Sequence, residues 1–240
     1  MKTLSLAVCL SAMFFVYGCG NGGTTGTGQT PIGTPVSLTT FNGFFKGYSS
    51  AGTQLSFANM TGSVRFNNMT GVNSHGRCSG TYTVVAVGPT TFENLQVTES
   101  TTSLAVLTGP IPPVSFDVQR YFLVSNGSLY KITDVPGTLF YFDPLMDFAM
   151  PPNPANVGDF GTIATLAGSD GSTLAIGWEL SPEFHGNSIM IITSVTRNIL
   201  NIVTASEVDK YYLDRAGNPY KFATTVTSGG VTITMAGNRS

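Results

Sequence analysis

Charge is scarce in this sequence. Asp, Glu, Lys and Arg together make up 10% of its 240 residues, and eleven basic against thirteen acidic side chains leave a net charge of −2. Recognition of nucleic acid or of an anionic surface needs clustered Lys and Arg, so no nucleic-acid partner is expected. Histidine occurs twice and cysteine three times; no second Cys or His pair accompanies His75 and Cys78 to make a four-ligand zinc site, and the cysteines do not form a disulfide framework. Beyond the N-terminus no segment approaches the 18 consecutive apolar residues of a membrane-spanning helix. No run of ten residues combines helical periodicity with caps. A Gly-x-Ser-x-Gly elbow, a phosphate-binding loop and a dinucleotide fingerprint are all missing, so neither a cofactor nor an enzymatic activity is expected.

The N-terminus is informative. Met1 and Lys2 precede an apolar run of about 14 residues, Leu4 to Tyr17, the pattern of an export signal. The run ends at Val16-Tyr17-Gly18-Cys19. An aliphatic residue at −3, a small one at −1 and then cysteine resembles the lipobox of bacterial lipoprotein precursors. That resemblance implies cleavage before Cys19, acylation of its thiol and amine, and anchorage in a bilayer, since two or more acyl chains hold a protein stably. Gly20 after the cysteine resembles lipoproteins forwarded to the outer membrane, which makes that membrane the expected location.

Residues 20–40 contain no charge and are dominated by Gly, Thr, Pro and Ser, the composition of a flexible tether. With Cys9 in the signal and Cys19 acylated, Cys78 has no cysteine left to pair with. Without acylation, a Cys19–Cys78 bridge is the alternative.

From Phe41 onward the hydrophobic period is two. Leu95 to Thr98 and Val231 to Met235 alternate apolar and polar, putting Val231, Ile233 and Met235 on one face. Tyr82–Val87, Ile189–Ile192 and Ile199–Val203 are apolar runs suited to covered strands. Turn signals lie between them at Met60-Thr61-Gly62, Asn126-Gly127, Ala216-Gly217-Asn218 and Gly229-Gly230. Asn59-Met60-Thr61-Gly62 is echoed in Asn68-Met69-Thr70-Gly71, as two turns around a short strand at Ser63–Phe66. The fold class is all-β, an antiparallel sandwich or barrel.

A short repeat recurs at an offset of 90. Arg120-Tyr121-Phe122-Leu123, Gly127 and Tyr130-Lys131 match Lys210-Tyr211-Tyr212-Leu213, Gly217 and Tyr220-Lys221. Each copy reads as one hairpin. Proline at 144, 151, 152 and 154 breaks the chain between the copies. The expected organisation is therefore a signal peptide at 1–18, a lipidated tether at 19–40, a β module at 41–145, a linker at 146–156 and a second β module at 157–240. The two modules are either tandem domains or parts of one continuous sheet.

Few side chains invite chemistry. His75 and Cys78 stand three apart but lack further ligands, and Asp143, Asp147, Asp159 and Asp170 do not match a calcium loop. The aromatic and Met-rich segment holding Phe140, Phe142, Met146, Phe148 and Met150 suits an adaptable partner surface, or else a buried strand and packing between modules. Together these features describe a non-enzymatic β-rich envelope lipoprotein that binds or supports an envelope partner. The alternative is a carrier or chaperone of an apolar ligand.

Overall fold

Residues that alternate apolar and polar make a sheet with one face to bury, and a long antiparallel sheet buries it by curling until its ends meet. The computed structural model, which describes residues 28–46, 54–66, 74–134, 139–142 and 150–240, shows that outcome. Two short strands, β1 (Pro35–Val36) and β8 (Ala155–Asn156), pair with one another. The others are β2 (Gln54–Phe66), β3 (Ser74–Phe92), β4 (Leu95–Thr108), β5 (Val114–Leu123), β6 (Leu129–Asp134), β7 (Leu139–Phe142), β9 (Phe160–Gly168), β10 (Thr173–Pro182), β11 (Ser188–Arg197), β12 (Val203–Leu213), β13 (Pro219–Ser228) and β14 (Val231–Asn238). These twelve described strands follow one another round a closed antiparallel barrel. One helix, α1 (Thr39–Phe45), precedes β2.

The barrel is closed by pairing across its two halves. β7 joins β9, and β14 returns to β2 with Met235 opposite Gly62. Gly62 sits in that second seam, where a Cβ would lie 1.8 Å from the Thr234 carbonyl oxygen, so only glycine lets the strands meet. Strands from both expected modules thus share one barrel, in the same order of six: β2 to β7, then β9 to β14. The matched hairpins are β5–β6 and β12–β13, six strands apart and therefore facing one another across the lumen.

Along β13 and β14 the inner face is mainly apolar and the outer face polar. On β13 and β14 Phe222, Thr224, Ile233 and Met235 point inward and are buried. Thr225 and Thr227 point outward, where their hydroxyls meet those of Thr234 and Thr232 at 3.3 and 3.1 Å. A lipid-facing barrel needs the reverse, an apolar outer band round a polar interior.

Eight strands enclose a lumen that side chains just fill, and diameter grows with strand number. Twelve leave excess room, and α1 occupies it at one end. Phe41, Phe44 and Phe45 are buried. The Phe41 ring meets Tyr211 edge-on at 5.2 Å, and Phe45 meets Phe122 at 6.5 Å. Ser100 and Thr98 donate from β4 to the carbonyl oxygens of Phe45 and Lys46 at 3.0 and 2.9 Å, satisfying the open end of so short a helix. Between α1 and the wall near Leu55, Val84 and Tyr211 a void of only about 10 Å³ remains.

Residues 28–40 are bound to the barrel, in contrast to the expected free tether. Thr30 Oγ1 donates to the Glu183 and Asn187 carbonyl oxygens, and Val36 and Leu38 are buried. Asn153, in the expected linker, accepts from the Leu38 N–H and donates to Thr39 Oγ1, both at 2.8 Å. Gly217 allows Ser37 to approach; its φ is +81°, and a Cβ would sit 1.7 Å from the Ser37 carbonyl oxygen. Apolar Val36 and Leu38 supply the burial that a Gly/Thr tether lacks.

Other expectations need correction. Met60-Thr61-Gly62 lies inside β2, not in a turn; the irregularity falls just before it, where the register shifts between Phe57 and Met60 and Asn59 takes a φ of 52°. Ile199 to Ile202 form the β11–β12 turn, with β12 beginning at Val203. Asn198 Oδ1 accepts the Leu200 and Ile202 N–H groups, and this turn chemistry overrides the apolar run. Ile199 and Leu200 are 75% and 71% exposed. The repeat also shifts by one. In both hairpins a bulge precedes the turn, and Phe122 and Tyr121 pair with Leu129 and Lys131 as Leu213 and Tyr212 pair with Pro219 and Lys221. The return strands therefore keep the offset of 90, whereas the entering strands match at 91, which makes Arg120 equivalent to Tyr211.

Phe45→Ala removes the ring that packs on Phe122 and leaves a cavity in the plug. It is expected to cost about 3–5 kcal/mol of stability, read as a lower urea midpoint, while an outward substitution such as Thr225→Ala leaves the midpoint unchanged.

Candidate functional site

Above the plug lies a layer of aromatic rings. Tyr82 of β3 stacks on Phe222 of β13 at 3.8 Å, Phe57 lies 5.3 Å from Phe222, and Tyr211 of β12 lies 4.9 Å from it. The Tyr82 and Tyr211 hydroxyls hydrogen-bond to each other at 2.5 Å. Burial pushes both phenols well above their ordinary pKa, so both remain protonated donors across the physiological range. With α1 beneath, this layer closes the lumen at one end.

On its other side the lumen holds a cavity of about 320 Å³ facing the end that carries the β4–β5, β11–β12 and β13–β14 turns. Tyr82, Thr102 and Arg120 stand at its inner end; Leu104, Phe116, Val118 and Ile132 line one wall, and Ser194, Thr196, Glu207 and Ser228 the other, with Leu174 and Ile176 between. A mostly apolar cavity with a few convergent polar groups is the usual form of a small-molecule site. Larger depressions near Lys221 and Arg239, and near Arg77 and Cys78, are open grooves.

Arg120 reaches into the lumen from β5. Its guanidinium carbon sits 4.8 Å from the centre of the Phe45 ring, a cation–π contact, and Nη1 donates to Thr102 Oγ1 at 2.5 Å. Nε is buried without a partner. Facing it from β12 come Glu207, Asp209 and Tyr211, all at inward positions. Asp209 is buried beside Thr224, and neither Asp209 Oδ1 nor Thr224 Oγ1 has a well-formed hydrogen bond. Burial pushes the Asp209 carboxyl well above the usual carboxylate range and the Glu207 charge adds to this; Thr224 and Arg120 pull the other way and are outweighed. Arg120 Nε, Asp209 Oδ1 and Thr224 Oγ1 are thus buried polar atoms without a hydrogen bond of good geometry, and of these residues Arg120 alone lines the cavity.

The candidates read from the sequence lie elsewhere. Cys19, Met146 and Phe148 fall outside the described residues. Phe140 and Phe142 belong to β7, where the backbone is described but the side chains are not. Met150 is half-buried and packs against the core. His75 and His185 are exposed near opposite ends of the barrel. Cys78 is a free, buried thiol whose pKa burial raises, which suppresses its reactivity. Asp170 accepts the Ser172 N–H and shapes the β9–β10 turn. Asp209 and Arg120 went unnoticed, although a period-two reading placed a signal there. Asp209 shares the face of Tyr211 and Leu213, and Arg120 that of Phe122, so each is a charge on an apolar face.

A carboxyl with a raised folded pKa binds its proton more tightly in the folded chain. The stability this confers is complete below the unfolded value and is lost as pH climbs toward the folded one. Asp209→Asn keeps the shape without the charge, so it is expected to raise the urea midpoint at pH 7–8. The gain should vanish at about pH 3, below the ordinary carboxylate value. An equal midpoint at pH 8 refutes the burial of a charge-averse carboxyl. Set beside known proteins, the chain matches no protein-family model, no curated protein and no solved structure.

Proposed function

We propose that this chain is a lipid-anchored cell-envelope protein that binds a small, mainly apolar ligand inside its barrel, as a carrier or receptor and without catalysing a reaction. The observation that carries this reading is the cavity of about 320 Å³, blocked from below by α1 and the aromatic layer and lined by apolar side chains on one side and mainly polar ones on the other. A plug this well fitted turns a tube into a cup. The threonine-lined outer face of β13 and β14 supports a role in water beside a membrane.

The anchor rests on Cys19 and its resemblance to a lipobox. Eight residues lie between Cys19 and Gly28, where the described chain meets the β10–β11 turn through the Gly28 carbonyl oxygen and the His185 N–H. The nine Cα–Cα steps across them reach at most about 30 Å. Acylation at Cys19 thus holds the plugged end toward the bilayer and turns the mouth of the cup away from it, toward a partner or the surrounding compartment. The exposed Ile199, Leu200, Ile202 and Val203 stand at that mouth. They favour a second, compatible reading in which an envelope protein docks there to deliver or receive the ligand.

Two measurements test the proposal. Intact mass of the membrane-extracted protein is expected to show a chain beginning at Cys19 with added acyl mass, while Cys19→Ala remains in the soluble fraction; an unmodified N-terminus refutes the anchor. Ile176→Trp projects an indole into the cavity. Native mass spectrometry should find a small molecule on the wild-type barrel and none on a folded Ile176→Trp variant, and identical occupancy on both would exclude the cavity as the site.

A further inference from the structure

We propose that the cavity is built for a facially amphipathic ligand: a rigid apolar skeleton with hydrogen-bonding groups along one face and an acceptor such as a carboxylate at its inner end. This rests on the reading of the cavity as a binding site and names the class of molecule it takes. The argument begins with the strand order. β11, β12 and β13 lie opposite β4, β5 and β6 in the ring of twelve. The first group presents Ser194, Thr196, Ser206, Glu207 and Ser228 to the cavity together with Ala205 and Val226, whereas the second presents Leu104, Phe116, Val118 and Ile132, with Thr102 and Arg120 at the inner end. Polar side chains therefore predominate on one side of the cavity and apolar ones on the side facing it.

Comparison of the two halves sharpens the point. With entering strands matched at an offset of 91, Phe116 corresponds to Glu207 and Val118 to Asp209, so the same places in one barrel are apolar in one half and acidic in the other. A linear alkyl chain gains nothing from a wall of hydroxyls and incurs the desolvation cost of covering them. A flat skeleton with one hydroxylated face satisfies one wall and packs on the other. A volume of about 320 Å³ sits at the small end of ligand cavities and suits a single such molecule. At the inner end the Arg120 side chain, which lines the cavity, supplies a fixed positive charge and N–H donors, which select an acceptor on the ligand.

Calorimetric titration with three probes tests this, using the soluble Cys19→Ala protein. Cholate, kept below its micellar concentration, carries its hydroxyls on one face and ends in a carboxylate; palmitate has the same carboxylate on an unsubstituted chain; the third probe is cholate's neutral methyl ester. Cholate is expected to bind at least tenfold more tightly than palmitate. Replacing Ser194 and Thr196 together by valine should weaken cholate about tenfold, as the loss of one or two hydrogen bonds implies, and leave palmitate unchanged or tighter. The methyl ester should bind less tightly than cholate, which reads the Arg120 contact without altering the protein. Palmitate binding as tightly as cholate, or a double valine variant that weakens both equally, overturns the facial selection while the cavity remains a binding site. No binding by any probe, together with no binding of the apolar dye anilinonaphthalene sulfonate that Ile176→Trp abolishes, overturns the ligand-binding reading itself.

Discussion

The structure depends on how a ring of twelve strands deals with its own width. Apolar side chains from a wall this long do not meet at the axis, so the interior needs a second source of bulk. The chain solves this at one end with α1, whose three buried phenylalanines bring the needed volume on a single short helix. A helix of seven residues does not hold together alone. It persists because β4 hydroxyls satisfy its last carbonyl groups, Asn153 ties its entry, and Tyr211 and Phe122 pack on its rings. The plug and the barrel each complete the other, and the unfilled half of the lumen remains as a cavity.

The two halves share an architecture but not a lining. Both place a bulge before a glycine turn, at Gly127 and Gly217 with φ of 70° and 81°, and both keep a tyrosine and lysine paired on the outside. Lys131 is buried there against Glu93 from the β3–β4 turn, and Lys221 lies 4.5 Å over the Tyr212 ring. Such shared backbone devices are what closing the ring requires. Inward positions are free of that demand, and they differ: Arg120 stands where the other half has Tyr211.

Much of the fold was legible in the sequence because strand alternation is a local property. Val231, Ile233 and Met235 share the inner face, and Gly229-Gly230 turns with both φ values positive, as the hairpin between two strands requires. Three features escaped for identifiable reasons. The register of the repeat depends on a turn one residue longer in the first copy, and a single-residue slip moves a side chain to the other face. Ile199 and Leu200 look like core until the Asn198 side chain is seen to cap their turn. The end of the supposed tether is sparse in apolar residues, yet Val36, Leu38 and Phe41 reach the core because β8 and Asn153 hold the backbone in place. The site escaped for a further reason: Arg120 and Asp209 lie 89 positions apart in the chain, and only closure of the ring brings their strands face to face.

That juxtaposition bears on why the polar layer exists. Burying a carboxyl with an unpartnered oxygen beside an arginine with an unpartnered nitrogen opposes folding, since neither atom recovers the hydrogen bonds it had in water. The chain supplies its own control for whether the architecture needs them. At the place equivalent to Asp209 the first half carries Val118, and at the place equivalent to Arg120 the second half carries Tyr211, in strands with the same pairing and the same bulge. The same backbone therefore accepts an apolar or a neutral residue at each position. The charges are consequently not a requirement of closure, and their burial is a cost that the architecture itself does not impose.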